Sequence, residues 1–380
     1  MSLKIAVAAL AASAQLAMSY QKPAAPAEGL RLIKTSEEDP GQWVTKEEKY
    51  KMVKSKKGCT HYIDITNIQD DEVLEVLSTK TRTTVQAVDY PSNLSHVEEA
   101  NKLIGGSNTD GPQKWLEHLT SYHNRHCESK TGTEAAAWLF KQVQEIASAN
   151  SDITVEQFEH SDFDQPSIIA RLPGKSESLV VIGAHMDSTS GAPSSKAPGA
   201  DDNGSGTVVV LESLRVLAEA GFAPENTIEF HWYGGEEIGL IGSADIWAEY
   251  KSQGKNVISY VNQDMAGYQP SGTPTVITDY TDPALNKYVT LLVTEFTGKA
   301  PNSADCGYGC SDHASADANG FPAAFVFEDL PDKTSPDIHT PNDVSAILST
   351  PLSYDTIMWD AVERHIQFAV GYLVEASYLS

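Results

Sequence analysis

Five side chains of the types that bind divalent metals follow one another along the middle and later part of the chain: His185, Asp202, Glu237, Asp264 and His339. Most of them end an apolar run with the pattern of a buried strand, and in open α/β sheets ligands bind at the carboxyl ends of strands. Three carboxylates and two neutral imidazoles balance two divalent cations and a hydroxide, and the absence of thiolates argues against a purely structural zinc. The sequence therefore predicts a hydrolase with two zinc ions per chain.

Two further acidic residues lie beside these ligands. Asp187 follows His185 by two positions, so on a strand the two side chains share a face, and the carboxylate can accept the second ring N–H of a metal-bound imidazole. Glu236 and Glu237 are adjacent and point different ways, which allows one to bind metal and the other to act as a general base. The pair alone does not decide which has which role, and by itself it is more typical of a solvated acidic turn.

Asp202 lies in a glycine-rich segment, APGADDNGSG at residues 197–206, that opens an apolar helical pattern. A carboxylate in such a turn can bridge two cations through its two oxygens. A phosphate-binding loop is the rival interpretation. The segment lacks the lysine of that motif, however, and its two aspartates would repel phosphate.

The elements that must position these residues alternate regularly from about Tyr90 onward. Apolar periodicity predicts helices over residues 113–122, 133–149, 206–220, 240–251, 283–296 and 353–376. It predicts strands over residues 154–159, 167–172, 179–185, 226–233, 257–263, 274–278 and 323–327. This alternation indicates an α/β fold with a central, mostly parallel mixed sheet sandwiched by helices.

The chain is predicted to have three parts. Residues 1–18 combine an early lysine, a short apolar stretch and small residues, which predicts a secretory signal peptide and a secreted, extracellular protein. Residues 19–88 are predicted to be a small pro-segment, with a lysine cluster and a helical stretch around residues 70–78. Residues 89–380 are predicted to be the catalytic domain.

Charge separates these parts. Residues 1–88 hold 12 basic and 11 acidic residues, whereas the remainder holds 15 and 41. The locally basic pro-segment is therefore expected to associate with the acidic domain, although an ordinary solvated extension is the alternative. So acidic a domain is not expected to bind nucleic acid or an anionic membrane, and no further stretch approaches a membrane span in apolar length. A monomer is expected.

Cysteines and sequons add smaller predictions. Cys306 and Cys310 are close enough in sequence for a tight disulfide loop, whereas Cys59 and Cys127 are expected to be free and buried. Of the two glycosylation sequons, the one at Asn93 is expected to carry sugar. A glycan on Asn203 would block the predicted metal site.

Six segments, in this order and with suitable spacing, resemble those of the secreted dizinc leucyl aminopeptidases of fungi and bacteria: GAHMDS, APGADDNGSG, GGEEIGLIGS, NQDMAGY, CGYGCSDHAS and DIHTPND. The resemblance covers roughly residues 90–380, and the signal and pro-segment layout is similar to that of the fungal members. It implies one zinc held by His185 and Asp264, a second held by Glu237 and His339, and Asp202 as the bridge.

The resemblance also implies roles that the residues alone leave open. Glu236 would be the general base, and Asp187 the partner of His185. The Asp202–Asn203 peptide bond would be cis, and Tyr308, held by the loop between Cys306 and Cys310, would hydrogen-bond the tetrahedral intermediate. Asn203 departs from the pattern, because several relatives carry a third Asp there. No ligand is affected, and activity is expected to survive.

The resulting hypothesis is an extracellular metallo-aminopeptidase that releases N-terminal leucine or another large apolar residue from peptides with a free N-terminus, by a two-zinc-activated water with a glutamate base. Two alternatives stay open. A related fold can perform glutaminyl cyclisation with one zinc, and a binding module can keep the fold with a dead site. A serine hydrolase is disfavoured, because no G-x-S-x-G motif occurs and Ser311 lacks that context.

Overall fold

The computed structural model describes residues 20–53, 62–79, 87–344 and 357–380. The predicted signal peptide lies outside these ranges, as do Cys59 and the lysines at 54, 56 and 57. No helix within them is long and apolar enough to cross a membrane.

A small module precedes the main domain. Its three strands, β1 (Arg31–Lys34), β2 (Gln42–Val44) and β3 (Ile63–Asp64), form an antiparallel sheet in the order β2-β1-β3. Helix α1 (Lys46–Met52) begins at a capping box between Thr45 and Glu48, in which each side chain accepts the backbone N–H of the other. Helix α2 (Asp71–Thr79) buries one apolar face, which includes Val73 and Leu77.

The main domain alternates helices and strands. Its helices are α3 (Val97–Ile104), α4 (Asp110–Ser121), α5 (Lys130–Ala147), α6 (Gly206–Glu219), α7 (Ile241–Ser252), α8 (Pro283–Thr297), α9 (His313–Ala318) and α10 (Trp359–Ala376). Its strands are β4 (Thr154–Phe158), β5 (Ser167–Leu172), β6 (Ser176–His185), β7 (Asn226–Tyr233), β8 (Val257–Asn262), β9 (Thr275–Ile277), β10 (Asn302–Ala304) and β11 (Ala323–Phe327).

These strands form one eight-stranded sheet in the order β10-β9-β11-β8-β6-β7-β5-β4. The four central strands β11, β8, β6 and β7 run parallel, and antiparallel pairings join them to β9 and β5. Helices α5, α6, α8 and α10 supply apolar side chains to a large core on one face, and α7 and α9 cover the other. Burial on both faces explains why β7 and β8 are fully buried strands.

The structure confirms the predicted fold class, and the predicted elements match observed ones with small shifts at their ends; residues 353–356 of the last predicted helix lie outside the described residues. The sequence did not reveal α3, α9 or β10 of the main domain, or β1, β2, β3 and α1 of the N-terminal module. Helix α9, with the sequence HASADA, is too short for a periodic pattern, and β10 is an edge strand of three residues, NSA. Strand β6 starts at Ser176, earlier than the predicted 179, because its pairing with β7 extends past a register shift.

The N-terminal module packs directly on the main domain. Its apolar side chains share a buried cluster with Leu240, Tyr280 and Ala314 of that domain. Ion pairs surround this contact and join Lys46 to Glu128 (2.5 Å), Arg31 to Asp162 (2.9 Å) and Lys251 to Asp70 (2.6 Å). The association therefore has an apolar centre, and two of the three ion pairs have the polarity expected from the sequence, with the basic side chain on the module, whereas the third has the reverse polarity.

Candidate metal centre

Three central strands deliver acidic or imidazole side chains to the same edge of the sheet. In the parallel register His185, the last residue of β6, pairs with Tyr233, the last residue of β7, and Gly183 of β6 pairs with Asn262 of β8. The chain then turns at Gly234 and Gly235 into Glu236 and Glu237, while Asp264 lies two residues beyond β8. Since the carboxyl ends of parallel strands coincide, side chains far apart in sequence meet here.

The five predicted ligands form two groups that share one residue. Donor atoms of His185, Asp202 and Asp264 lie within 4.8 Å of one another, and so do those of Asp202, Glu237 and His339. Nε2 of His185 is 3.3 Å from Oδ1 of Asp202 and 3.2 Å from Oδ1 of Asp264. Nε2 of His339 is 2.9 Å from both Oδ2 of Asp202 and Oε2 of Glu237. The two oxygens of Asp202 therefore face different groups.

The arrangement of lone pairs fits divalent cations. Oδ2 of Asp202 and Oε2 of Glu237 are buried, yet they have no hydrogen bond in the described structure, although an imidazole nitrogen lies at contact distance. Buried carboxylate oxygens are almost always hydrogen-bonded unless something else satisfies them. Oxygen and imidazole nitrogen donors that converge in this way suit zinc, which favours such mixed sets.

The loop that carries Asp202 is held by a residue of the segment that carries His339. The carboxylate of Asp343 accepts the backbone N–H groups of Asp201 (2.8 Å) and Asp202 (3.1 Å). The Asp202–Asn203 peptide bond is cis, as the resemblance implied. His339 itself has φ of 55°, a left-handed conformation that costs a non-glycine residue free energy and often occurs at functional sites.

Asn203 is fully buried and makes three hydrogen bonds. Its amide nitrogen donates to the carbonyl of Gln263 (3.0 Å), and its amide oxygen accepts the N–H groups of Gly206 (2.9 Å) and Met265 (3.0 Å). The side chain thus ties the Asp202 loop to the residues on both sides of Asp264. The side chain is fully buried, and the absence of sugar on Asn203 stays a prediction.

Asp187 lies beside His185 but has closer partners. Its Oδ1 is 3.5 Å from Nδ1 of His185, which is long for a hydrogen bond. The carboxylate instead accepts the backbone N–H groups of Glu236 (3.1 Å) and Glu237 (3.2 Å). Asp187 therefore anchors the turn that carries the two glutamates, a contact that the sequence did not predict.

The two glutamates point to different partners, as expected. Glu237 accepts the backbone N–H of Thr189 (3.0 Å) through Oε1 and turns Oε2 toward His339. Glu236 is buried with both oxygens free of hydrogen bonds, and its Oε2 lies 4.0 Å from Nε2 of His185. Burial raises the pKa of Glu236 well above its ordinary value, the neighbouring His185 opposes this, and the carboxylate of Asp264 adds to it.

A cavity of about 220 Å³ opens beside the two groups. Asp202 and Asp264 form its polar end, and its remaining lining is mostly apolar: Met265, Cys306, Tyr308, Cys310, Phe325, Phe327, Pro331, Thr334 and Ile338. Cys306 and Cys310 form the expected disulfide, which holds the loop carrying Tyr308 at the cavity. Cys127 is free and buried, and Asn93 is exposed.

The sequence pattern missed Arg125 and Asp343, both fully or almost fully buried beside the centre. Asp343 stands in the DIHTPND segment, so its place in that motif was the available signal. Arg125 lies outside every quoted segment, in a stretch without apolar periodicity, and had no signal from spacing.

Comparison with known proteins agrees with this geometry. The chain is 38% identical over 374 residues to a probable leucine aminopeptidase of Trichophyton verrucosum, covering 97% of this chain and 98% of that protein. It is 40% identical over 392 residues to a probable leucine aminopeptidase of Arthroderma otae, with 100% and 99% covered.

Among solved structures, the LapA aminopeptidase of Legionella pneumophila superposes with a TM-score of 0.76 at 29% identity, covering 89% of this chain and 91% of that one. The sequence model of peptidase family M28 matches residues 167–367 of this chain. These residues contain the ends of β6, β7 and β8, the Asp202 loop and His339. The chain therefore belongs to peptidase family M28.

Proposed function

We propose that this chain is a secreted leucine aminopeptidase that uses two zinc ions and a glutamate general base. The observation that carries this proposal is Asp202, whose two oxygens face two separate groups of buried donor atoms. A structural site would use one closed group, whereas a shared carboxylate between two groups suits a pair of catalytic ions. The curated relatives named above as probable leucine aminopeptidases support the reaction class.

In this proposal His185 and Asp264 hold one zinc, and Glu237 and His339 hold the other, with Asp202 between them. When bound, such ions lower the pKa of a water molecule and polarise the scissile carbonyl. The protein supplies the orientation: Asp187 and Asp343 fix the backbone of the two segments that carry Glu237 and Asp202.

Glu236 is the proposed general base. Its side chain is buried next to both groups, and its oxygens have no hydrogen bond to protein atoms in the described structure, so they are available to a proton. An Oε oxygen of Glu236 takes the proton of the attacking water and passes it to the leaving amine. The hydroxyl of Tyr308, at the cavity beside Asp202, donates to the developing oxyanion.

The cavity supports a preference for large apolar N-terminal residues. Phe325, Phe327 and Ile338 are among its lining residues, and a leucine side chain placed against them leaves water for an apolar surface. The carboxylates of Asp202 and Asp264, which also line the cavity, attract the α-ammonium group of a free N-terminus, as does the acidic character of the whole domain. Peptides blocked at the N-terminus lack this charge.

Residues 1–18, 19–88 and 89–380 are proposed to be the signal peptide, the pro-segment and the catalytic domain, with a glycan on Asn93. The ion pairs and apolar contact between the N-terminal module and the main domain support the association of a pro-segment. Sequencing the N-terminus of the secreted protein tests these boundaries, and a start other than near residue 89 contradicts the pro-segment.

Metal analysis together with a small substrate panel tests the main proposal. We expect about two zinc ions per chain, hydrolysis of leucinamide but not of N-acetyl-leucinamide, and loss of hydrolysis after chelation that zinc restores. Removing one methylene from the N-terminal side chain should lower kcat/KM about 10-fold or more. One zinc with cyclisation of N-terminal glutamine, or no hydrolysis at full metal content, would contradict it.

A further inference from the structure

We infer that Arg125 is a positioning residue that sets the spacing between the strand end that carries His185 and the loop that carries the shared ligand Asp202. The inference rests on the proposed function only in requiring that the site binds metal. Among the described residues, Arg125 has no hydrogen bond to the side chain of a predicted ligand, and it does not line the cavity.

The guanidinium of Arg125 donates to three backbone carbonyls of the described residues. Nε donates to Met186 (2.8 Å), Nη1 to Pro198 and Nη2 to Gly199 (2.8 Å). Met186 lies between His185 and Asp187, and Pro198 and Gly199 lead into the loop of the shared ligand Asp202. One planar group therefore connects the end of β6 to that loop.

Ser188 makes a second connection between the same two segments. Its hydroxyl accepts the backbone N–H of Arg125 (3.0 Å) and donates to the carbonyl of Ala197 (2.8 Å). The segments approach so closely that a Cβ on Gly199, whose φ is +58°, would lie 2.4 Å from Cβ of Ser188 and 3.0 Å from Nη2 of Arg125. The spacing is thus set by direct contact.

The burial of Arg125 shows that this connection is specific. The residue is 0% exposed, and within the described residues its nitrogens form no ion pair with a carboxylate. Burying a charge without a paired ion is costly unless hydrogen bonds and the surrounding field compensate. Here three backbone carbonyls accept hydrogen bonds from the guanidinium nitrogens. The carboxylates of Asp343, Asp187 and Asp202 also stabilise the positive charge electrostatically at longer range.

A lysine at this position cannot replace the fork, because an ammonium group is a compact charge that does not match several carbonyls in one plane. We therefore expect Arg125→Lys to leave the Asp202 loop free to shift relative to His185. Changes in groups that orient ligands typically cost about 10- to 100-fold in metal affinity or activity.

The test compares Arg125→Lys with Arg171→Lys in the full-length protein. Arg171 is a matched control on β5, where it pairs with Glu229 and Glu177 away from the centre. Metal affinity is measured by chelator competition with zinc, and ligand geometry by the visible absorption of the protein loaded with cobalt. We expect Arg125→Lys to weaken metal binding about 10- to 100-fold and to change the cobalt spectrum, and Arg171→Lys to do neither.

Ser188→Ala is the second variant, and it covers the case in which Arg125→Lys does not fold. It removes the second connection alone, so we expect the same changes in metal affinity and spectrum, but smaller. Unaltered affinity and spectrum in folded Arg125→Lys, or in Ser188→Ala if the former is unfolded, would overturn the inference. If the unmodified protein itself binds no metal, the proposed function fails instead.

Discussion

Strand β7 connects two clusters of buried charge that behave in opposite ways. In the middle of the strand, Glu229 accepts hydrogen bonds from Arg171 (2.7 Å), Tyr250 (2.8 Å) and His231 (3.1 Å). Three residues beyond the end of the strand, Glu236 is equally buried but has no hydrogen bond to either oxygen in the described structure. The first cluster satisfies every carboxylate oxygen internally, whereas the second leaves lone pairs directed into the site.

The pKa values of the two glutamates reflect this difference. Burial raises the pKa of Glu229, but the hydrogen bonds and charges of His231, with Tyr250 and Arg171, outweigh it and lower the pKa to about 2. At Glu236 burial dominates, and the pKa lies well above its ordinary value. A satisfied buried charge therefore indicates a structural role, whereas an unsatisfied one at a strand end indicates a site for a metal, a proton or a substrate.

The largest effect is expected from Glu236→Gln. We expect kcat to fall by about 10²- to 10⁴-fold, because the amide cannot take a proton. Zinc content should be unchanged, because Glu236 is not a predicted ligand, and the urea midpoint should not fall, because the carboxyl group makes no hydrogen bond in the described structure that the amide would lose. Steady-state kinetics, metal analysis and urea unfolding measure the three quantities. A variant that keeps its kcat would remove Glu236 from the role of base.

The matched change at the other cluster is Glu229→Gln, which should lower the stability of the protein and leave its kcat unchanged. We expect a loss of about 3 kcal/mol in the free energy of unfolding at pH 7, because a buried carboxylate that accepts hydrogen bonds from Arg171, His231 and Tyr250 is replaced by a neutral amide. The kcat of the folded enzyme should be unchanged. Urea unfolding beside kinetics distinguishes the two clusters, and a loss of activity without a loss of stability would break the comparison.

The pH dependence of the unfolding free energy tests the lowered pKa of Glu229. The folded pKa of Glu229, about 2, lies below the unfolded value, so its stabilisation is present above the unfolded pKa. That contribution is about 3 kcal/mol and is lost as pH falls from about 4 toward 2. The difference in unfolding free energy between the unmodified protein and Glu229→Gln should therefore shrink over this interval. A constant difference from pH 7 to pH 2 would contradict the assignment.

The smallest effect is expected from Asn203→Asp, which adds a charge to the metal centre without touching a ligand. An aspartate cannot donate to the carbonyl of Gln263, so we expect a loss of about 1–3 kcal/mol in stability. Thermal unfolding measures this loss, and metal analysis serves as the control because zinc content should stay the same. An unchanged midpoint of thermal unfolding would show that the hydrogen bond from the Asn203 amide to Gln263 contributes nothing to stability.

Much of the fold was predictable because it depends on local patterns. Apolar periodicity identified the central strands and most helices, since strands and helices bury their faces with different periods. Of the elements missed in the main domain, α9 and β10 have only six and three residues and owe their conformation to their neighbours, whereas α3 is an eight-residue helix that fully buries only Ala100. Tertiary context decides such short pieces.

For the site, the sequence determined which side chains are available: strand ends and motifs identify His185, Asp202, Glu237, Asp264 and His339. Only the tertiary structure decided how they are held. Asp187 accepts the backbone N–H of Glu236, and Asp343 accepts the backbone N–H of Asp201. Arg125 donates to the carbonyls of Met186 and Pro198 and so joins their two segments. These hydrogen bonds join residues about 50 to 140 positions apart, and no local pattern records a partner that only the path of the chain brings within reach.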